Sequence, residues 1–196
     1  MARANSVACV VGTLVVMLGA AASAQAQTVT FSRIDDAVPS RWVDPSTTRV
    51  DATNRNKLIV GFNRGLDAST LKYREFRAST SSFNYRAAMD TISVRVTAPT
   101  GYYITTVTYT QRGSGSQTGT GRAQGGASWI VADLAGSLGT FSTNPTLSKT
   151  VDISSRRLTA IPVSITNSLN VFSTTSLGSA TVSITGADIT VKLARR

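Results

Sequence analysis

Residues 91–97 read TISVRVT, which sets Ile92, Val94 and Val96 on one side of a period of two and Ser93 and Arg95 on the other. Such alternation suits a strand with one face on a core and one in water. It does not suit a helix, whose apolar positions recur every three or four residues. Short β-branched and aromatic segments bounded by Gly, Pro, Asn or Ser recur at residues 28–32, 57–62, 102–111, 128–134, 150–153, 161–166, 180–185 and 188–193. Many short strands with turn signals between them, and no strongly amphipathic helix, predict an all-β fold: a single antiparallel β-sandwich, jelly-roll-like or Ig-like. Gly186 and Ala187 separate the last two segments and predict a hairpin between them. Residues 112–126 (RGSGSQTGTGRAQGG) hold no apolar side chain larger than Ala123 and predict a mobile surface loop. A short helix is expected only at residues 66–76, where Ser69 offers a cap.

The amino-terminal segment follows a different pattern. Arg3 precedes an apolar run, residues 7–18 (VACVVGTLVVML), which is shorter than the roughly 20 residues a spanning helix needs. The small-x-small site Ala24-Gln25-Ala26 follows, so residues 1–26 read as a signal peptide cleaved between Ala26 and Gln27. A site two residues earlier, before Gln25, is the alternative. No transmembrane anchor is expected, and the chain is expected to be exported, to the periplasm or beyond the cell. Cys9, the one cysteine, lies inside this peptide, so residues 27–196 are expected to form one domain without disulfides, thiolate metal sites or a cysteine nucleophile.

Residues 98–104 (APTGYYI), continuing through Tyr109, then the glycine-rich stretch and residues 127–131 (ASWIV), together with residues 165–169 (ITNSL) and 180–193, carry a resemblance. They resemble the β-rich body of secreted bacterial proteins of the PEP-CTERM-sorted type. That resemblance implies export and a β-rich fold. The chain departs from the pattern at Leu193-Ala194-Arg195-Arg196, which carries neither a Pro-Glu-Pro motif nor an apolar tail, so sorting by that route is not expected.

Histidine is absent, which removes Ser-His-Asp and Cys-His mechanisms and imidazole-based zinc or copper sites. Carboxylates remain: Asp35, Asp36, Asp44, Asp51, Asp67, Glu75, Asp90, Asp133, Asp152 and Asp188. Most sit beside basic or turn residues, as Asp51 does beside Arg49, where ion pairing or an Asx turn accounts for them. No calcium loop is present, and the glycine stretch lacks the spacing of a phosphate-binding loop, since position 118 is threonine and no Gly-Lys-Ser/Thr follows. No catalytic residue, metal or cofactor is expected.

With 20 Lys and Arg against 10 Asp and Glu the net charge is +10. Loss of Arg3 with the signal peptide leaves 19 − 10 = +9. Residues 72–86 (KYREFRASTSSFNYR) interleave cations with rings, and Lys72, Tyr73, Arg74, Arg77, Tyr85 and Arg86 are the candidate binding residues. Arginines hold phosphates or uronates while rings stack on sugars or bases, although strand alternation produces the same string. Thr106, Thr108 and Thr110 share one face of a strand, where threonine is a good exposed residue. Trp129 is expected in the core and Trp42 is a candidate sugar platform. The expectation is a non-enzymatic exported binding or structural protein of the envelope or matrix, with a basic face for an acidic polysaccharide, an envelope component or a partner protein. Nucleic acid is not the expected partner, because no reader motif is present. A carboxylate-dependent glycan-active enzyme and a self-assembling filament or adhesin subunit are the alternatives.

Overall fold

The computed structural model describes residues 28–33, 43–44, 46–62, 84–142, 146–173 and 179–196. The expected signal peptide with its Ala26–Gln27 junction, the helix at 66–76 and Trp42 lie outside the described residues. Among the described residues ten strands follow one another: β1 (Thr30–Arg33), β2 (Arg49–Val50), β3 (Lys57–Val60), β4 (Asn84–Thr97), β5 (Tyr102–Thr118), β6 (Arg122–Val131), β7 (Leu134–Phe141), β8 (Thr146–Asp152), β9 (Ala160–Ser173) and β10 (Ser179–Arg195). Among the described residues a single 3-10 turn, Ser154–Arg156, lies between β8 and β9.

Two five-stranded sheets result, ordered β1-β4-β9-β6-β7 and β2-β3-β10-β5-β8, with every pair antiparallel. The expected antiparallel sandwich is what forms. Its wiring decides between the two expected variants. From β3 onward every connection crosses from one sheet to the other except β6 to β7, which pair within one sheet. Eight strands in the orders β4-β9-β6-β7 and β3-β10-β5-β8 make the double Greek key of a jelly roll. β1 and β2 extend one edge of each sheet.

Alternation supplies the core. Ile92, Val94 and Val96 of β4, Ile161, Val163 and Ile165 of β9, and Ile189 and Val191 of β10 are all buried between the sheets, and Trp129 of β6 joins them. A second apolar cluster gathers Ala123, Phe141, Leu169, Val171, Val182 and Ile184. Polar side chains lie along the boundary between the two clusters. Tyr109 Oη and Gln111 Nε2 both donate to Asn167 Oδ1, each at 2.8 Å.

Two sequence expectations are corrected. Residues 112–118 are not a loop: β5 runs on through them and pairs with β10 as far as Thr118 opposite Ser179. Gly113, and Gly125 on β6, answer a packing need, since a Cβ on either would overlap the ring of Phe141, which is buried in the second cluster. Only residues 119–121 turn, closed by Gly121 N donating to Thr118 O at 2.9 Å. Nor do residues 180–185 and 188–193 form a hairpin. Both belong to β10 and both pair with β5, with a register slip between Ile184 and Gly186. A bulge absorbs the extra residue and the chain does not reverse.

Candidate anion-binding surface

Lys72, Tyr73, Arg74 and Arg77 lie outside the described residues, and of Tyr85 and Arg86 only the backbone is placed, in β4 opposite Phe172 and Val171 of β9.

The folded chain assembles a different basic and aromatic group, at the end of the sandwich where β5 begins and β10 finishes. Gly101, at φ 82°, closes a turn in which Tyr102 N donates to Pro99 O, and the chain then enters β5 with two consecutive tyrosines. Neighbours on a strand point to opposite faces, so Tyr102 and Tyr103 serve two sides of the sheet. Arg195, opposite Tyr102 in the register, lies 5.9 Å from the Tyr102 ring centroid and donates from Nε to its hydroxyl at 2.9 Å. Arg157 lies 5.6 Å from the Tyr103 centroid.

Arg157 is placed there by the turn after β8. Asp152 accepts from Ser154 N at 2.8 Å, which opens the 3-10 turn and holds the Asp152 carboxyl below the usual carboxylate range. Arg157 then closes it in the left-handed region, at φ 50°. A non-glycine residue held there, with its guanidinium on a ring, is a conformation the surrounding fold imposes. Among the described residues the ion pairs join Lys57 to Asp51 and Asp188, Arg112 to Asp188, and Arg156 to Asp133. Arg157, Arg195 and Arg196 take part in none of these pairs.

The outer face of the β2-β3-β10-β5-β8 sheet is mostly small and hydroxylic. Thr108 meets Thr150 at 2.8 Å and Thr110 meets Ser148 at 3.2 Å across the β5–β8 pair. This face breaks pattern at the β10 bulge, where Asp188, only 5% exposed, accepts from Arg112 Nη2 at 2.9 Å and lies 3.6 Å from Lys57 Nζ. The segment after Val43 stands over it. Asp44 N donates to Gly61 O at 2.9 Å and Gly61 N donates to Thr48 Oγ1 at 3.0 Å, a contact so close that a Cβ on Gly61 would overlap Thr47. Between this wall and the bulge lies a cleft of about 680 Å³ lined by Asp44, Arg49, Lys57, Arg112, Thr185 and Asp188 among others. Hydrogen bonds from the Ser46 hydroxyl and backbone N–H hold the Asp44 carboxyl below its ordinary range. Asp51 pairs with Lys57 rather than with Arg49, and it forms the expected Asx turn by accepting from Thr53 N at 2.8 Å.

Sequence reasoning missed both features. The doublets Tyr102-Tyr103, Arg156-Arg157 and Arg195-Arg196 were the visible signal for the first, but residues 93 apart meet only through the β5–β10 pairing. No group of three or more potential metal ligands occurs among the described residues, and none of their helices is long and apolar enough to cross a membrane. No known protein family and no curated protein matches this chain.

Proposed function

We propose that this chain is an exported, non-enzymatic binding protein of the envelope or matrix whose basic, tyrosine-backed end engages an anionic polymer. One observation carries the reading: Arg157 and Arg195 rest on Tyr103 and Tyr102 while the ion pairs among the described residues leave them out. A guanidinium on a ring face keeps its hydrogen-bonding edge outward, ready for carboxylates or sulfates, and loses little freedom on binding. The net charge of +10 supports the choice of an anionic partner.

The test is binding of residues 27–196 to acidic and neutral bacterial polysaccharides at low and moderate salt. Binding confined to acidic polymers and weakened by salt is expected, with a loss of about tenfold in the Arg157→Ala, Arg195→Ala double variant, equivalent to roughly 1.4 kcal/mol. Equal binding by the double variant would reject this surface. An Arg74→Ala, Arg77→Ala pair tests the stretch at 72–86 as the alternative basic face.

A glycan-active enzyme is the second reading, because Asp44 and Asp188 line one cleft. Binding is preferred. A glycosidase needs one carboxyl raised to act as a general acid, whereas Ser46 holds the Asp44 carboxyl below its ordinary range. Release of reducing ends from the same polysaccharides would reverse that preference.

A further inference from the structure

We propose that the cleft at the β10 bulge is a separate binding site for one carboxylate-bearing sugar, a hexuronate residue. It goes beyond the polymer reading, because Asp188 and Arg195 are seven residues apart on β10, about 23 Å at 3.3 Å per residue. Either site can fail without the other.

The charge arrangement makes the first argument. Elsewhere this sheet face carries mostly Thr106, Thr108, Thr110, Ser148, Thr150 and Thr190, and its charges, Asp152 and Lys192 beside Thr106, are exposed to solvent. At the bulge a buried carboxylate stands instead between two cations, an arrangement that is expensive in desolvation and adds little stability over small polar residues. The Asp188 side chain is 7% exposed and that of Arg112 is 47% exposed, so Asp188 acts as an anchor and Arg112 as the group it presents. One Arg112 nitrogen is held at 2.9 Å by Asp188, which fixes the plane of the guanidinium and leaves its other donors for a ligand. A Cβ on Gly186 would lie 4.0 Å from Arg112 Nη1, its nearest neighbour, so the bulge leaves room beside the guanidinium.

Ligand class follows from the lining. Arg49, Lys57 and Arg112 set against Asp44 and Asp188 give 3 − 2 = +1, which matches a monoanion. The two carboxylates accept hydrogen bonds and do not donate, so a good ligand also brings hydroxyl groups. A sugar acid has both, and a sulfate ion has no donor. The cleft volume, about 680 Å³, falls within the roughly 300–1,000 Å³ of small-ligand sites.

The experiment is a titration of residues 27–196 with galacturonate, with methyl galactoside and sulfate as controls, following backbone amide resonances. Saturable shifts of Gly61, Gly186 and Asp188 with galacturonate are expected, at least tenfold weaker in Arg112→Gln and in Gly186→Val, and unchanged in Arg195→Ala. Gly186→Val narrows the cleft without altering its charge, and it carries the test if Arg112→Gln does not fold. Equal affinity for sulfate or methyl galactoside, shifts elsewhere only, or full binding by a folded Gly186→Val variant would each overturn the proposal. Failure of the polymer assay alone would leave these shifts in place.

Discussion

Asn167 shows how much one buried polar side chain decides. It is 1% exposed and accepts from both Tyr109 and Gln111 at the boundary between the two apolar clusters. Asn167→Leu would leave two buried donors without an acceptor, and a loss of about 2–4 kcal/mol in urea unfolding is expected. Tyr109→Phe removes one donor, leaves Asn167 paired with Gln111, and is expected to lose only about 1 kcal/mol at neutral pH. The pH dependence separates the two. Burial pushes the Tyr109 hydroxyl well above the ordinary phenol range, aided by the negative charge of Asp188. Because the folded value lies above the unfolded one, the stabilisation is complete below about pH 10 and is lost as pH rises from there. Wild type is therefore expected to lose about 1.4 kcal/mol per pH unit relative to Tyr109→Phe above pH 10, measured as the gap between their urea midpoints.

At the scale of an element, β5 is the test of whether glycine marks a loop or a packing site. It runs from Tyr102 to Thr118 and pairs with β10 along its length. Hydrogen exchange is expected to protect the inward-bonded amides of residues 112–117 together with those of 104–111, where a mobile loop would exchange at once. Gly113→Val drives a branched side chain into the Phe141 ring, and a loss of about 1–3 kcal/mol is expected by thermal or urea unfolding. Adding Phe141→Leu should recover part of it, because the space the glycine keeps clear is then no longer occupied by a ring. Absence of any such coupling in the double-mutant cycle would reject the packing account.

Over the whole molecule, the jelly-roll wiring governs how the chain folds. β4 pairs with β9 and β5 with β10, joining Asn84 to Ser173 and Tyr102 to Arg195, so apart from β2–β3 and β6–β7 the pairing is non-local. Loop closure must precede most of the contacts that reward it, and refolding on a timescale of about milliseconds to seconds is expected in stopped-flow fluorescence of Trp129. The sole cysteine is Cys9, so a reducing agent is expected to leave both the rate and the unfolding midpoint of residues 27–196 unchanged.

Period-two alternation was enough to determine an antiparallel sandwich, because the faces of a strand are written into consecutive residues such as Ile92, Ser93 and Val94. The core position of Trp129 was legible for the same reason. Where glycine intervened, composition misled: Gly113 and Gly125 make room for Phe141, and Gly186 follows the bulged Thr185 within a continuous strand, yet in sequence all three resemble turn residues. The candidate surface was legible only as the isolated doublets Tyr102-Tyr103, Arg156-Arg157 and Arg195-Arg196. Arg157 and Arg195 reach the Tyr102–Tyr103 pair, and Arg112 reaches Asp188, across separations of 54, 93 and 76 residues that only cross-sheet connections and strand register close. Local sequence specifies which way each side chain points; which distant side chain it meets is set by the order in which the strands are laid side by side.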